Sequence, residues 1–245
     1  MNNPFNSIVI AHRGAWKKAG LPPNSIEALK VAIALGCAGS ETDVHLTADG
    51  ALVINHDAVW AGLQIHKNTL QKLQKTKLFN GEVLPLLTDF LKIIQQQSKT
   101  HLVLEIKPSK KEKDGVKAIV QKVINAVIQM QVQLLIIYIS FDYEILKEIL
   151  RLEPSANVQY LNGDQTPSQL KQDGIKGADY HYTVFKNNIE WIQSAKENNI
   201  DLNAWTVNKE KEMNWLLVKG FNFITTDEPE LLFKEIEKYF ISGRE

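Results

Sequence analysis

Glu41, Asp43 and His45 alternate along one short stretch, and His56 with Asp57 follows shortly after. Side chains two apart in a strand share a face, so both carboxylates and the first imidazole project together. Charges of one sign set side by side repel unless a cation or water separates them. Val44, Leu46, Leu52, Val53 and Ile54, flanking the turn Ala48-Asp49-Gly50, make the segment a two-stranded hairpin. Its second strand brings Asn55-His56-Asp57 back near the start of the first. Oxygen ligands beside an imidazole are the ingredients of a hard divalent-cation site with a proton carrier at its edge. A solvated edge hairpin would hold the same residues without any chemistry.

Two further groups have matching chemistry. Ser7-Ile8-Val9-Ile10-Ala11 is an apolar run typical of a strand buried on both faces, and it runs straight into His12-Arg13-Gly14. There His12 could be acid, base or ligand, Arg13 could hold an anion with its fork of donors, and Gly14 lets the chain turn sharply. A capping histidine beside a surface arginine is the alternative. Downstream, His101-Leu102-Val103-Leu104 leads into Glu105 and Lys107, again two apart, before Pro108 ends the strand. Alone, that pair would be charge compensation. Beside Glu41 and Asp43, Glu105 could be a third oxygen ligand and Lys107 an anion partner.

The elements that must carry these groups follow a regular alternation. Strand patterns fall near 7–11, 40–46, 102–107, 134–140, 158–161, 178–182, 202–207 and 221–225. Helical spacing appears over 26–35, 114–130, 142–152, 168–172, 189–198, 210–218 and 229–239, with a further helix from Thr88 through Ile94. Asn24 or Ser25 is a suitable cap for the first helix, with Gly36 and Gly39 closing it. Eight strands with short helical connections in a chain of 245 residues predict one α/β domain, a TIM barrel, over 1–245. Residues 58–82 break the rhythm with Trp60, Leu63 and Ile65 among many lysines, and read as a short helical insertion after the second-strand hairpin. In such a barrel His12, Glu41, Asp43, Glu105 and Lys107 all lie at the C-terminal ends of the first three strands, where this fold places its chemistry.

Composition narrows the class. Lysine and arginine total 28 against 28 acidic residues, which argues against general binding to nucleic acid or anionic membranes. A single cysteine, Cys37, allows neither an intrachain disulfide nor a cysteine-based zinc site. The first residues, Met1-Asn2-Asn3-Pro4-Phe5-Asn6, lack the basic and apolar regions of a secretory leader. No apolar run approaches the roughly 18 residues of a membrane span. The expectation is a cytoplasmic protein without stable membrane insertion and of unassigned oligomeric state.

The sequence resembles the glycerophosphodiester phosphodiesterase family. The resemblance rests on His12-Arg13-Gly14, Pro22 and Asn24 before the first helix, Glu41-Thr42-Asp43, Thr47-Ala48-Asp49-Gly50, His56-Asp57 and Leu84-Pro85-Leu86-Leu87. It continues through Glu105-Ile106-Lys107, Ser140-Phe141-Asp142, Ala204-Trp205-Thr206-Val207-Asn208 and Thr225-Thr226-Asp227-Glu228-Pro229, in family order over nearly the whole chain. It implies a TIM barrel that hydrolyses small-molecule glycerophosphodiesters, such as glycerophosphocholine or glycerophosphoethanolamine, to sn-glycerol 3-phosphate and an alcohol. It further implies one divalent cation on Glu41, Asp43 and Glu105, and His12 and His56 as the acid–base pair. Arg13 and Lys107 would neutralise the phosphate, and Trp205 would line the pocket. Oxygen ligands favour Mg²⁺ or Ca²⁺ over a softer metal. Two departures stand out: Pro23 replaces a family glutamate, and Ala58-Val59-Trp60-Ala61-Gly62 replaces an Arg-Thr-Thr run. Two other readings share the fold: a lysophospholipase D-like phosphodiesterase with an acyl groove at the insertion, and a binding protein without turnover.

Overall fold

The computed structural model describes residues 8–108 and 113–242; residues 1–6 and Ser7, at the expected head of the first strand, lie outside them. β1 (Val9–Ala11) leads through a polar loop to α1 (Ile26–Leu35), β2 (Gly39–Leu46) and β3 (Leu52–Ile54). The insertion contributes β4 (Val59–Trp60), β5 (Leu63–Gln64), a 3-10 turn and the single-turn α2 (Leu70–Leu73). Next come α3 (Leu87–Gln95), β6 (His101–Ile106), α4 (Lys113–Gln129), β7 (Ile136–Ser140), α5 (Tyr143–Leu152), β8 (Asn157–Tyr160) and α6 (Pro167–Gln172). The last third holds β9 (Gly177–His181), α7 (Tyr182–Asn187), α8 (Glu190–Asn198), β10 (Asp201–Trp205), α9 (Glu210–Lys219), β11 (Phe223–Thr226) and α10 (Pro229–Ser242).

β1 pairs in parallel with β2 on one side and with β11 on the other, which closes the ring β1-β2-β6-β7-β8-β9-β10-β11. This is the expected TIM barrel, with β3 attached antiparallel to β2. Strand parity sorts the side chains. Ile10, Val103, Ile137, Ile139 and Leu161 fill the barrel with Trp205 and Phe223 against them. Val9, Val44, Leu104, Tyr138, Val158, Leu202 and Ile224 face outward, into the main core beneath the helices. Each fully buried aliphatic side chain contributes about 1.5–3 kcal/mol. The parity that sends Val44 outward turns Glu41 and Asp43 inward, and the parity that sends Val103 inward does the same for Glu105.

Several local expectations change. The first helix is capped by Ser25, whose Oγ accepts the Ala28 N–H, and closed by Gly36 in the left-handed region, whereas Gly39 already belongs to β2. α3 begins at Leu87 rather than Thr88, and its capping residue Leu86 makes no side-chain hydrogen bond. The insertion opens on a hairpin, whose turn Ala61 (φ 48°) and Gly62 (φ 79°) form with left-handed backbone, and its expected helical part is limited to the 3-10 turn Ile65–Lys67 and α2. Trp60 and Leu63 pack on Val53, Ile65, Leu73 and Leu84, and the Trp60 indole donates to the Leu73 carbonyl at 3.0 Å. The apolar residues that suggested an acyl groove therefore form the insertion's own small core. α7 is an additional helix directly after β9. Among the described residues, no helix is long and apolar enough to cross a membrane.

Candidate active site

β1 delivers His12 to the barrel mouth, where the chain makes two successive left-handed residues, Arg13 (φ 57°) and Gly14 (φ 83°). A Cβ on Gly14 would lie 2.7 Å from the Ala28 backbone, so only glycine fits. The turn aims the Arg13 N–H at Glu41 Oε2, 3.0 Å away, and presents its carbonyl to the Asn24 N–H at 2.9 Å. Asn24 is also left-handed (φ 60°), donates to Asp43 Oδ2 at 2.8 Å and accepts from the Thr42 hydroxyl at 2.6 Å. A strained backbone of this kind persists where its surroundings over-determine it. Asn24 thus positions a carboxylate, a role its reading as a helix cap misses. The N–H groups of Ile26 and Glu27 at the start of α1 are taken by Glu82, from the end of the insertion, at 2.8 and 3.3 Å. A carboxylate therefore reaches this helix end from a distant segment, while Pro23 occupies the neighbouring loop.

Register brings the three acids together. Asp43 on β2 pairs directly with Glu105 on β6, and Glu41 lies one inward position earlier. Their relative exposures are 4%, 1% and 7% for Glu41, Asp43 and Glu105, and one oxygen from each lies within 4.8 Å of the others. Oxygen ligands at about 2.0–2.6 Å from one hard cation span up to about 5.2 Å between them, so the group could hold a metal ion. Lys107 Nζ stands 2.6 Å from Glu105 Oε1 and 3.0 Å from Asp43 Oδ1. The second contact is an ion pair off the hydrogen-bond direction, so buried Asp43 Oδ1 still has a lone pair unused by any hydrogen bond. All-oxygen donors and that lone pair fit a hard divalent cation.

One lysine does not balance three buried carboxylates. Burial, then the charges of Asp43 and Glu105, push the Glu41 carboxyl well above its usual range. Burial pushes Glu105 up to about 7. Burial also opposes ionisation of Asp43, but Lys107 and the Asn24 amide outweigh it and hold Asp43 below the ordinary value. Lys107 is desolvated, yet Asp43 and Glu105 more than compensate and keep its ammonium charged.

The two imidazoles are held differently. His12 Nδ1 donates to Asp227 Oδ1 at 2.7 Å, leaving Nε2 toward the cavity, 3.9 Å from Glu41 Oε2. Asp227 is fixed in turn by Asn208, whose amide donates to Oδ2 at 2.7 Å and whose oxygen accepts the Asp227 N–H at 2.9 Å. Burial works against the Asp227 charge, but the hydrogen bond and charge of His12, the Asn208 amide and the Arg13 charge together outweigh it and lower its pKa. His56 is 43% exposed and pairs with Asp57 Oδ1 at 2.7 Å. Its loop is anchored by the Asn55 N–H on the Asp43 carbonyl at 3.0 Å and by His45 Nε2 on the His56 carbonyl at 3.2 Å. Burial lowers the His45 pKa, which suits a neutral ring that donates to a carbonyl. His45 is thus a support behind His56.

His12, Arg13, Glu41, His56, Glu105 and Lys107 border one cavity of about 140 Å³, closed on the other side by Ile139, Phe141, Leu161, Asp179 and Trp205. The Trp205 indole donates to the Asp179 carbonyl at 2.8 Å, and its ring meets the edges of Phe141 and His181 at 5.5 and 5.3 Å. A larger open groove of about 660 Å³ lies alongside, past Phe141 toward Pro108 and Tyr143, but it contains none of the buried carboxylates or histidines. The chemistry belongs to the smaller cavity. Asp227, Asn208 and Asn24 are the residues whose roles go unread in the sequence. Each lies in a motif that carries the family resemblance, but their partners become visible only when the barrel closes.

Residues 12–231 match the glycerophosphoryl diester phosphodiesterase family. A glycerophosphodiester phosphodiesterase of Caldanaerobacter subterraneus subsp. tengcongensis is 30% identical over 251 aligned residues, spanning 96% of this chain and 99% of the relative. The crystal structure of a glycerophosphodiester phosphodiesterase from Parabacteroides distasonis superposes with a TM-score of 0.92 at 38% identity, covering 96% of this chain and 98% of that one. An Oleispira antarctica phosphodiesterase, solved in complex with the product sn-glycerol-3-phosphate, shares the fold with a TM-score of 0.82 at 24% identity, over 94% of this chain and 96% of that one. With the barrel and its acidic mouth in place, this protein belongs to the glycerophosphoryl diester phosphodiesterase family and is a phosphodiester hydrolase.

Proposed function

We propose that the protein hydrolyses glycerophosphodiesters, such as glycerophosphocholine or glycerophosphoethanolamine, to sn-glycerol 3-phosphate and an alcohol. The observation that carries this reading is the cluster of three buried carboxylates, Glu41, Asp43 and Glu105, two of which border one cavity with two histidines, Arg13 and Lys107, in a barrel of this family. Glu41, Asp43 and Glu105 would hold Mg²⁺ or Ca²⁺, which supplies Lewis-acid stabilisation of the charge on the phosphoryl oxygens. Arg13 and Lys107 add fixed positive charge at the same place, where negative charge grows in the transition state.

The remaining work is proton transfer. Overall, the attacking oxygen loses a proton, the bond from phosphorus to the alcohol oxygen breaks, and that oxygen gains a proton. His12 and His56 each use Nδ1 for an aspartate, which orients the ring and leaves Nε2 for this exchange. Asp227 acts through His12 and is a positioning residue.

The test is direct. Purified protein incubated with glycerophosphocholine should release sn-glycerol 3-phosphate, stop in excess EDTA, and recover when Mg²⁺ or Ca²⁺ is restored. No glycerol 3-phosphate from metal-replete protein would refute the substrate assignment, and full activity in EDTA would refute the metal.

A further inference from the structure

In the ring of eight parallel strands, β9 stands opposite β2, so Asp179 looks across the cavity from the wall facing Glu41 and Asp43. Asp179 is 1% exposed, and its Oδ1 has no hydrogen-bond partner. Nearby interior polar groups are tied to one another: the Thr225 hydroxyl donates to Asn203 Oδ1 at 3.2 Å, and the Asn203 amide reaches Gln159 Oε1 at 3.5 Å. Gln159 Nε2 is also unpaired, but Gln159 does not border the cavity. The main chain at Asp179 is held by the Trp205 indole, which keeps the side chain on the cavity wall. Around it, Ile139, Leu161 and the Trp205 ring are apolar. A buried polar group left unpaired is unfavourable, and a cavity is where a ligand can supply the partner.

We propose that the Asp179 carboxyl hydrogen-bonds a hydroxyl of the glycerol half of the substrate, and that it selects hydroxyl-bearing phosphodiesters over those without. The proposal rests on the function assigned above. Trp205 and Leu161 give the carbon chain an apolar surface, while Asp179 supplies a polar contact on the wall opposite the carboxylate group. Burial, and secondarily the charge of Glu105, push the Asp179 carboxyl well above its ordinary range. A neutral carboxyl both donates and accepts, which matches an alcohol, also donor and acceptor.

The experiment compares metal-replete wild type, Asp179→Ala and Asp179→Asn on glycerophosphocholine and on bis(p-nitrophenyl) phosphate, which has no hydroxyl to recognise. The ratio of kcat/KM for the first substrate over the second should fall roughly 10–100-fold in Asp179→Ala, the scale of one lost buried hydrogen bond. Asp179→Asn, which keeps a donor and an acceptor, should restore most of that ratio. Equal losses on both substrates, as a merely structural role would give, would overturn the proposal, as would an unchanged ratio. If Asp179→Ala does not fold, difference infrared spectroscopy on wild type decides. Adding sn-glycerol 3-phosphate should shift a protonated-carboxyl band that is missing in Asp179→Asn, and propyl phosphate should not. A band unmoved by either ligand, or moved equally by both, would overturn it. Wild type that cleaves bis(p-nitrophenyl) phosphate but not glycerophosphocholine would instead refute the substrate assignment of the preceding section.

Discussion

His12 and Asp227 lie 215 residues apart in sequence, yet Nδ1 and Oδ1 meet at 2.7 Å across the seam where β1 joins β11. The carboxylate selects the tautomer that leaves Nε2 facing the cavity. Asp227→Asn keeps the shape but replaces an acceptor with an amide that can offer the ring a donor. It should lower kcat roughly 10²–10⁴-fold, the scale of one general acid–base group, with little change in KM. Steady-state kinetics on glycerophosphocholine would check this, and a variant with normal kcat would remove Asp227 from the positioning role.

Lys107 is the internal counter-charge of the acidic group, at 2.6 Å from Glu105 and 3.0 Å from Asp43. Lys107→Met leaves these buried carboxylates without it, and removing one partner of a buried pair costs about 3–5 kcal/mol. In EDTA the variant should therefore unfold at clearly lower urea concentration than wild type. Saturating Mg²⁺ or Ca²⁺ should narrow the gap, because a ligand bound only by the folded state stabilises it. Glu41→Gln should behave oppositely, folding at least as stably in EDTA while losing turnover. Asp43→Asn, which takes a charge partner from Lys107, should lose turnover and some stability together. A divalent cation that stabilises all three variants as much as wild type would sink the assignment of the site.

Asp201 opens β10 and has its carboxyl pKa raised by burial. In the folded state it keeps a proton that the unfolded chain releases near pH 4. The folded state thus binds more protons between the two pKa values, and its stability contribution falls as pH rises through that window. Asp201→Asn has no such proton to lose. Its melting temperature relative to wild type should rise from pH 4 upward and level off once folded Asp201 is ionised. Differential scanning calorimetry of both proteins in EDTA would show this, and a difference that does not change with pH would contradict it.

The barrel was readable because its strands are short apolar runs that alternate with helical spacing. The carboxylates were readable because Glu41 with Asp43, and Glu105 with Lys107, keep strand parity. Asp227 and Asn208 were not, since their meaning depends on the closure of the ring. Asp179 lies in Ala178-Asp179-Tyr180, where an acid in a short strand looks like surface until the barrel buries it. α7 was hidden by Tyr182-Thr183-Val184-Phe185, aromatic and β-branched residues that favour a strand by local preference. Tertiary packing overrides it: Phe185 is fully buried and stacks on Tyr180 with centroids 5.6 Å apart. In the insertion the expected helix forms only as the short turns Ile65–Lys67 and Leu70–Leu73, because the left-handed Ala61-Gly62 turn folds the residues before them into a hairpin.

His12 and His56 reach the same cavity from different circumstances, one partly buried beside β11 and the other half-exposed on the hairpin loop. If one takes the nucleophile's proton and the other protonates the leaving oxygen, kcat/KM should follow a bell-shaped pH profile. His12→Ala and His56→Ala should each lose roughly 10²–10⁴-fold in rate. Because the two act in one step, the double variant should be little slower than the slower single variant. A p-nitrophenolate leaving group needs no proton, so a glycerophospho-p-nitrophenyl ester should rescue the variant that lacks the acid and leave the other impaired. The rescued variant names the acid. Rescue of neither would mean that leaving-group protonation belongs to a different group, and near-normal rates in both single variants would refute the two-histidine mechanism while leaving the barrel and the carboxylate site untouched.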